Sequence, residues 1–269
     1  MEEIIARLFN PGDLVVNLGF GMVLEVFYFW LMSRILPPRS TKVYWAAVVV
    51  SIGLLMFFKP VRSPILGPLA AAVIPFMLPI IFLQGTLLAR VVVSVSSTLA
   101  LFVGEIAGVS VWYAITGLGM VDNSVVLSHV PEYMFSVVCV YMVILGLLMS
   151  GIRYLVHRFV PCGLDDGEDV TLQGRWHAAY VLFVIVQFTV IVEVSCFAFV
   201  EEAWSPTSLL VSGCLLSAFV LLDAILFRLI GQSVAGVREE ARAEALEASI
   251  AAYLHEAEDM QGLLDDTAR

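Results

Sequence analysis

The sequence predicts an all-α protein: a polytopic membrane helix bundle that continues into a cytoplasmic coiled-coil helix. Hydrophobic residues make up 60% of the 269 residues and charged residues only 14%, with a mean hydropathy of +0.95. Such a composition lies outside the range of soluble globular proteins. Apolar segments of bilayer length recur along most of the chain, and the C-terminal part carries a heptad pattern instead. These three observations fix the fold class.

Seven apolar segments are long enough, or nearly so, to span a bilayer, which takes about 20 residues in a helix. They cover residues 14–36, 43–58, 65–85, 91–119, 133–156, 177–200 and 207–230. Segment 43–58 is short, and segment 65–85 contains Pro68, Pro75 and Pro79. Prolines are tolerated in spanning helices where neighbours satisfy the freed carbonyls. The alternative is a kinked hairpin that does not fully cross, so we expect six to seven spans.

The basic residues predict the orientation, because positively charged short loops stay on the cytoplasmic side. With the N-terminus outside, the outer loops hold only Arg7, Lys59 and Arg62. The inner loops and the tail hold the larger set: Arg34, Arg39, Lys42, Arg90, Arg153, Arg158, Arg175, Arg228, Arg238, Arg242 and Arg269. We therefore expect a multi-pass plasma-membrane protein with its C-terminus in the cytoplasm.

The chain divides into a membrane domain, residues 1–230, and a cytoplasmic helix, residues 231–269. Neither Pro nor a turn cluster separates the last apolar segment from this tail, so one helix is predicted to contain both. Apolar residues in the tail recur at steps of three and four, as in a two-stranded coiled coil. They form a seam of Ala243, Leu246, Ile250, Tyr253, Ala257, Met260 and Leu264. The other faces are mainly acidic, so the seam needs a partner helix, and we expect a parallel homodimer.

Four carboxylates lie inside predicted spans: Glu25, Glu105, Glu193 and Asp223. Acids are costly in hydrocarbon, so they face the bundle interior by default. Three readings stay open, namely helix packing, a ligand-responsive pocket and an ion path. In the packing reading, hydroxyl groups of neighbouring helices are their partners: Ser94, Ser96, Ser97, Thr98, Ser110 and Ser195.

Aromatic residues near the predicted outer ends of the spans form a second candidate site. Trp112, Tyr113, Tyr133 and Trp204, with Glu201 and Glu202, would frame a shallow mouth for an extracellular peptide. Together with Glu105 and Glu193, the four aromatic residues are our candidate ligand-binding set. The alternative is that these aromatic side chains only mark the membrane interface, where Trp and Tyr are common.

The sequence lacks the motifs of several classes of enzymes and binding proteins. It has no Walker loop, no GxSxG motif and no Ser/His/Asp set outside the membrane, so we expect no catalytic residue among the 269. None of the four cysteines has CxxC spacing, so neither a metal site nor a disulfide framework is expected. No basic patch predicts nucleic-acid binding, and no cofactor is expected in this chain.

Seven spans with the N-terminus outside, followed by the helix from Ala245 to Arg269, resemble the accessory-gene-regulator type of peptide-sensing histidine kinase. The resemblance covers the whole chain in topology and residues 245–269 in heptad pattern. It implies a membrane sensor domain with the start of the dimerisation helix. In that family an Arg-His-Asp phosphoacceptor box and a GHKL-type domain that uses ATP and Mg follow, here beyond Arg269. It also implies an extracellular peptide ligand, quorum-sensing-type signalling and a response regulator as partner.

Two other function classes stay open. A small-solute or ion transporter subunit would use the intramembrane carboxylates as its path, which leaves the heptad seam unexplained. A membrane-anchored scaffold would use the seam to recruit a different helix rather than a second copy. Neither class needs the kinase that the resemblance implies.

Overall fold

The computed structural model describes residues 15–58, 66–118, 123–159, 174–198 and 206–267. Regular structure in these ranges is helical, apart from one isolated β-bridge between Pro38 and Leu83. The helices are α1 (π-helical over Val15–Gly21, α-helical over Met22–Ile35), α2 (Thr41–Phe58), α3 (Leu66–Phe82), α4 (Leu87–Thr116), α5 (Asn123–Ser128), α6 (Val130–Phe159, π-helical over Met134–Val140), α7 (Gly174–Ala198) and α8 (Pro206–Thr267). Each predicted apolar segment corresponds to one long helix, so the all-α prediction is confirmed.

Three helical stretches of the described chain are long and apolar enough to cross a membrane: α4, α6 and the Thr207–Gln232 part of α8. Shorter apolar stretches lie in α2, α3 and α7. Large apolar side chains also cover the outside of the bundle, with exposed fractions of 62% for Val50, 70% for Leu147 and 64% for Leu182. Water-soluble proteins rarely expose extensive apolar patches, whereas a bilayer covers them. The chain thus has the helices and surface of a membrane protein, and six to seven spans stay a prediction.

Consecutive long helices run in alternating directions. One core cluster extends from the middle of the bundle, at Ala100 of α4 and Tyr141 of α6, to one of its ends. At that end it contains residues from the end of α1 (Ile35), the end of α6 (Val156), the beginning of α7 (Tyr180) and the middle of α8 (Ile230). It also contains Leu83, between α3 and α4. We call the part of α8 from Gly231 to Thr267 the rod. The end of the bundle from which the rod leaves is the rod end, and the opposite end is the far end.

At the rod end, the α1–α2 turn pairs with the α3–α4 turn. The Arg39 N–H donates to the Phe82 carbonyl at 2.9 Å, and the Gln84 N–H donates to the Pro37 carbonyl at 2.9 Å. The Arg90 guanidinium donates to the Ile80 carbonyl, placing a cation at the C-terminal end of α3, where the helix dipole favours it. These bonds tie the antiparallel pair α2–α3, which lies over the predicted segments 43–58 and 65–85, to α4.

Helix α4 is the central helix of the bundle and packs against α3, α6 and α8. Two glycines, Gly104 and Gly108, let α6 approach closely. A Cβ atom at Gly108 would lie 3.2 Å from both the Ser136 carbonyl oxygen and the Val137 Cα. A Cβ atom at Gly104 would lie 3.1 Å from the Tyr141 ring. Small residues four apart are a common way for membrane helices to bring their backbones together.

Helix α8 is one continuous helix of 62 residues, as predicted from the absence of Pro and of turn residues. At 1.5 Å per residue it is about 90 Å long, roughly three times the thickness of a hydrocarbon core. The predicted domain boundary at 230/231 therefore falls inside a helix. There α8 touches the end of α6, and a Cβ atom at Gly231 would lie 2.7 Å from a ring carbon of Phe159.

Candidate functional site

The far end of the bundle brings together two of the predicted ligand-binding aromatic residues. The Trp112 and Tyr133 rings pack edge to face with their centroids 5.9 Å apart, and the Phe20 ring lies 5.3 Å from that of Tyr133. Both Trp112 and Tyr133 are buried, and the indole N–H of Trp112 donates to the Leu118 carbonyl at 2.9 Å. In this conformation the pair forms an aromatic core rather than an open mouth.

The other predicted mouth residues lie elsewhere. Tyr113 is half-buried on α4, and Glu193 is exposed on α7. Trp204, Glu201 and Glu202 lie outside the described residues. The structure thus joins Trp112 with Tyr133 and leaves Tyr113 and Glu193 out of that cluster.

Both π-helical stretches border the aromatic core. Phe20 belongs to the first stretch, and Tyr133 immediately precedes the second. π-Helices are rare and often occur at functional sites. The second stretch is the part of α6 that Gly108 of α4 allows to approach. The far end is therefore the region where backbone geometry departs most from regular helix.

Glu25 and Glu105 lie among tyrosine side chains between α1, α4 and α6. Glu105 is exposed on α4 and interacts electrostatically with Tyr133 and Tyr141. Glu25 is half-buried on α1 and interacts in the same way with Tyr28 and Tyr141. Tyr141 therefore interacts electrostatically with both carboxylates. Phenol groups are hydrogen-bond donors, so they are suitable partners for carboxylates that lie inside a membrane.

Asp223 has the most protein-enclosed position of the four predicted intramembrane acids. Its side chain is 6% exposed and faces the interior between α4, α7 and α8. The Gln187 amide nitrogen on α7 donates to Asp223 Oδ1 at 2.7 Å. The Ser96 hydroxyl on α4 lies close to the same carboxyl group, and Tyr180 on α7 lies within its electrostatic range. We call Ser96, Tyr180, Gln187 and Asp223 the Asp223 cluster.

Of the hydroxyl groups expected as partners for these acids, Ser96 lies beside Asp223. Other hydroxyl groups of α4 are used differently. Ser94 donates to the Phe76 carbonyl of α3, and Ser97 donates to the Val93 carbonyl of α4 itself. Thr98 faces Tyr28 of α1. Thr98 itself donates to the Ser94 carbonyl at 2.8 Å, so Ser97 and Thr98 bond within α4, and of these three hydroxyl groups Ser94 is the one that joins α4 to another helix.

Sequence reasoning missed Gln187 and Tyr180. Gln187 is the one Gln inside the segment 177–200, and an uncharged amide in hydrocarbon also needs a partner. That signal was available, although it does not name the partner. Gln187 and Asp223 are 36 residues apart, so only the fold brings them together.

An apolar groove of about 450 Å³ lies on the outside of α1. Gly19, Met22, Val26 and Phe27 line it from α1, with Trp45 from α2 and Met142 from α6. It contains no charged side chain, so it has no group that would orient a polar ligand.

The predicted seam lies on a helix that has no partner in a single copy. Leu246, Ile250 and Tyr253 are 63%, 50% and 72% exposed. Ala257, Met260 and Leu264 are helical, but their side chains lie outside the described set. Among the described residues, no three His, Cys, Asp or Glu side chains lie close enough to hold a metal ion.

Comparisons with protein-family models, with curated proteins and with solved structures found no match to this chain.

Proposed function

We propose that this chain is the membrane sensor of a signalling protein and that α8 is its output helix. The observation that carries the proposal is the continuity of α8, whose 62 residues join an apolar stretch to an acidic, heptad-patterned one. A helix without a break transmits rotation and translation from one end to the other. A bundle that changes the position of α8 would therefore change the pairing of the rod.

The proposed topology has seven spans, with the N-terminus outside and the rod in the cytoplasm. The alternating helix directions support an odd number of crossings, because α1 begins at the far end, where Phe20 lies beside Tyr133, and α8 leaves at the rod end, where Gly231 lies against Phe159. The basic residues of the loops and tail favour that end as the cytoplasmic one. The proposed signal is an extracellular peptide that acts at the far end.

In this proposal the ligand selects between two packings of the bundle. A ligand shifts such an equilibrium only by its differential affinity for the two states. At the far end, Trp112 and Tyr133 are closed against each other, so one state binds ligand poorly and an open state binds it well. The Asp223 cluster would hold α8 in register with α4 and α7 while the far end rearranges.

The proposed readout is a histidine kinase attached to the rod, with a response regulator as its substrate. The first test is the coding sequence that follows codon 269. An Arg-His-Asp box followed by an ATP-binding domain would support the kinase, whereas a stop codon would remove it and leave the scaffold and transporter readings.

The coupling is tested with a chimera of residues 1–269 fused in heptad register to the kinase domain of a histidine kinase of known output. Insertion of two alanines after Gln232 rotates the rod by about 200° relative to the bundle, whereas seven alanines rotate it by only about 20°. We expect the two-residue insertion to abolish the response and the seven-residue insertion to preserve it. The stimulus is culture medium of the source cells, tested before and after protease digestion. Equal responses from both insertions would contradict a rigid output helix.

A second function is a transporter of small solutes or ions, and the observation that favours it is the Asp223 cluster. A carboxylate enclosed by polar side chains inside a bundle is a common element of such paths. In proteoliposomes, this reading predicts flux that Asp223→Asn reduces strongly. The sensor reading predicts no flux in either protein.

A further inference from the structure

The span part of α8 has a buried face and an exposed face. One face packs against the bundle through Leu216, Asp223, Phe227 and Ile230, all of which are buried. The other face is exposed, with Val211 and Ile225 each 57% exposed and Leu222 44% exposed. Because α8 has no break, the direction of each face is fixed relative to the rod.

The rod seam continues onto this exposed face in the same heptad register. Counting back in sevens from Leu246 gives positions 239, 232, 225, 218 and 211, and from Ala243 it gives positions 236, 229, 222 and 215. The span positions in this series are Val211, Leu215, Ala218, Leu222, Ile225 and Leu229, and every one of them is exposed. We call these six residues the span seam.

We propose that a second copy of this chain covers the span seam, so that two α8 helices pair inside the membrane as well as along the rod. This inference rests on the proposed self-association of the rod. A heptad series selects a helix as its partner, and equivalent helices that leave the same membrane face pair in parallel. Two rods paired along their seam bring the two span seams face to face when the pair supercoils left-handedly, because the supercoil keeps a seven-residue series on one side of each helix.

In this dimer the two α8 helices lie next to each other, one on each side of the two-fold axis, and the two bundles lie on the outside. Helices that pair closely lie 8–10 Å apart. That spacing leaves room for both bundles, because the middle of the bundle-facing side and the middle of the span seam lie about 130° apart around α8. A seam that pointed toward Asp223 and Phe227 would instead drive the second helix into its own bundle.

The apolar series is interrupted where α8 leaves the membrane domain. The seam positions there are Gln232, Gly236 and Glu239, all of them exposed. Gln232 and Gly236 bury little apolar surface in such a pair, and two facing Glu239 side chains repel each other. The dimer thus consists of two apolar contacts joined by a weak one, which lets the span contact and the rod contact change separately.

The test is disulfide cross-linking in membranes of the full chain with Cys139, Cys162, Cys196 and Cys214 replaced by Ser. Single cysteines are placed in the span seam (Ala218→Cys and Ile225→Cys), in the rod seam (Ile250→Cys) and on an exposed control face (Leu210→Cys and Ser217→Cys). The control positions lie about 100° around the helix from the middle of the span seam. All five positions are exposed, so the variants are expected to fold alike, which equal yield and gel-filtration profiles verify.

We expect oxidation to convert most of the Ala218→Cys, Ile225→Cys and Ile250→Cys proteins to the dimer band and to leave the two controls monomeric. If only Ile250→Cys cross-links, lipid covers the span seam, and this inference is wrong while rod pairing holds. If none cross-links, rod pairing fails as well. Equal cross-linking at seam and control positions would show random collision and would also overturn the inference.

Discussion

Helices α4 and α8 both contain a long apolar stretch, but they have opposite surroundings. In α4, 72% of the most apolar stretch is buried inside the protein, whereas in the span part of α8 the share is 11%. Hydropathy does not distinguish the two helices, because lipid and protein interior are both apolar environments. Their neighbours differ instead: other helices surround α4, whereas the protein covers little of the span part of α8.

Small and polar residues at the helix contacts distinguish α4 from α8. Helix α4 carries Gly104, Gly108 and the hydroxyl run Ser96–Thr98 at its contacts. Membrane helices gain little from apolar burial against each other, so close packing and hydrogen bonds position them. Helix α8 meets the bundle mainly through large side chains and the single carboxyl group of Asp223. Helix α4 is thus the helix around which the bundle packs, whereas the span part of α8 has one face against the bundle and the other exposed.

The largest expected effect is on self-association and comes from a charge in the rod seam, on the exposed face of α8. Ile250→Glu places a charge in the rod seam, and Ala252→Glu adds the same charge on the opposite face of the helix. Because a buried unpaired charge is strongly unfavourable, we expect Ile250→Glu to abolish self-association and Ala252→Glu to retain it. Analytical ultracentrifugation in detergent measures the difference. Monomers from both variants, or dimers from both, would contradict the role of the seam.

The next effect tests the tight packing of α4. Gly108→Ala puts a Cβ atom 3.2 Å from backbone atoms of α6, which cannot move as a flexible side chain does. Overpacking costs about 1–3 kcal/mol, which exceeds the gain of about 1 kcal/mol when Ala replaces Gly in a helix. The control is Gly213→Ala in α8, whose Cβ atom would lie at an ordinary 3.5 Å from Ile106.

We expect Gly108→Ala to lower the midpoint of thermal unfolding in detergent, and Gly213→Ala to leave it unchanged or raise it slightly. If the two variants behave alike, the contrast between a tightly packed α4 and a loosely packed α8 is wrong.

A smaller effect on stability is expected at the hydrogen bond between Gln187 of α7 and Asp223 of α8. Asp223→Ala leaves the Gln187 amide buried without its acceptor, while Asp223→Asn keeps an oxygen that can accept the same hydrogen bond. Hydrogen bonds between membrane helices average about 0.6 kcal/mol and reach ~1.7 kcal/mol. We expect a loss of stability in that range for Asp223→Ala and a smaller one for Asp223→Asn.

A double-mutant cycle with Gln187→Leu isolates the pair. The Asp223→Ala change should cost less in the Gln187→Leu background, because the orphaned amide is then absent. Additive effects of the two substitutions would show that the hydrogen bond contributes nothing to holding α8.

The sequence was sufficient to predict the helices and not their contacts. Hydropathy located all seven long helices, and the lack of a break after Leu209 predicted the continuity of α8. The π-helical stretches Val15–Gly21 and Met134–Val140 were not predicted, because a local widening of a helix depends on what packs against it.

The candidate site was predicted only in part, for the same reason. Asp223 stood out as an acid in an apolar segment, but Gln187 became visible only when the fold joined α7 to α8. Trp112 and Tyr133 were placed correctly at one end of the bundle, yet their sequence does not tell whether they face a ligand or each other. The Gly104–Gly108 pair could have been recognised from its spacing alone, since close helix contacts favour small residues four apart.

The smallest expected effect lies where α8 leaves the bundle. Gly231 and Gly236 are both helical, but a Cβ atom at Gly231 would lie 2.7–3.2 Å from Phe159, whereas nothing lies within 4 Å of one at Gly236. Gly236→Ala should therefore stabilise the helix by up to about 1 kcal/mol. Gly231→Ala should lose that gain and lower the stability, because the Phe159 ring and its Cα atom would both have to shift. In the chimera described above, we expect Gly236→Ala to stiffen the weak part of the seam and change the basal output, with the bundle unaltered. Hydrogen exchange of the α8 amides around residue 236 measures the stiffening directly. Unchanged exchange in Gly236→Ala, or equal exchange in the two variants, would show that the contact with Phe159 does not distinguish these two glycines.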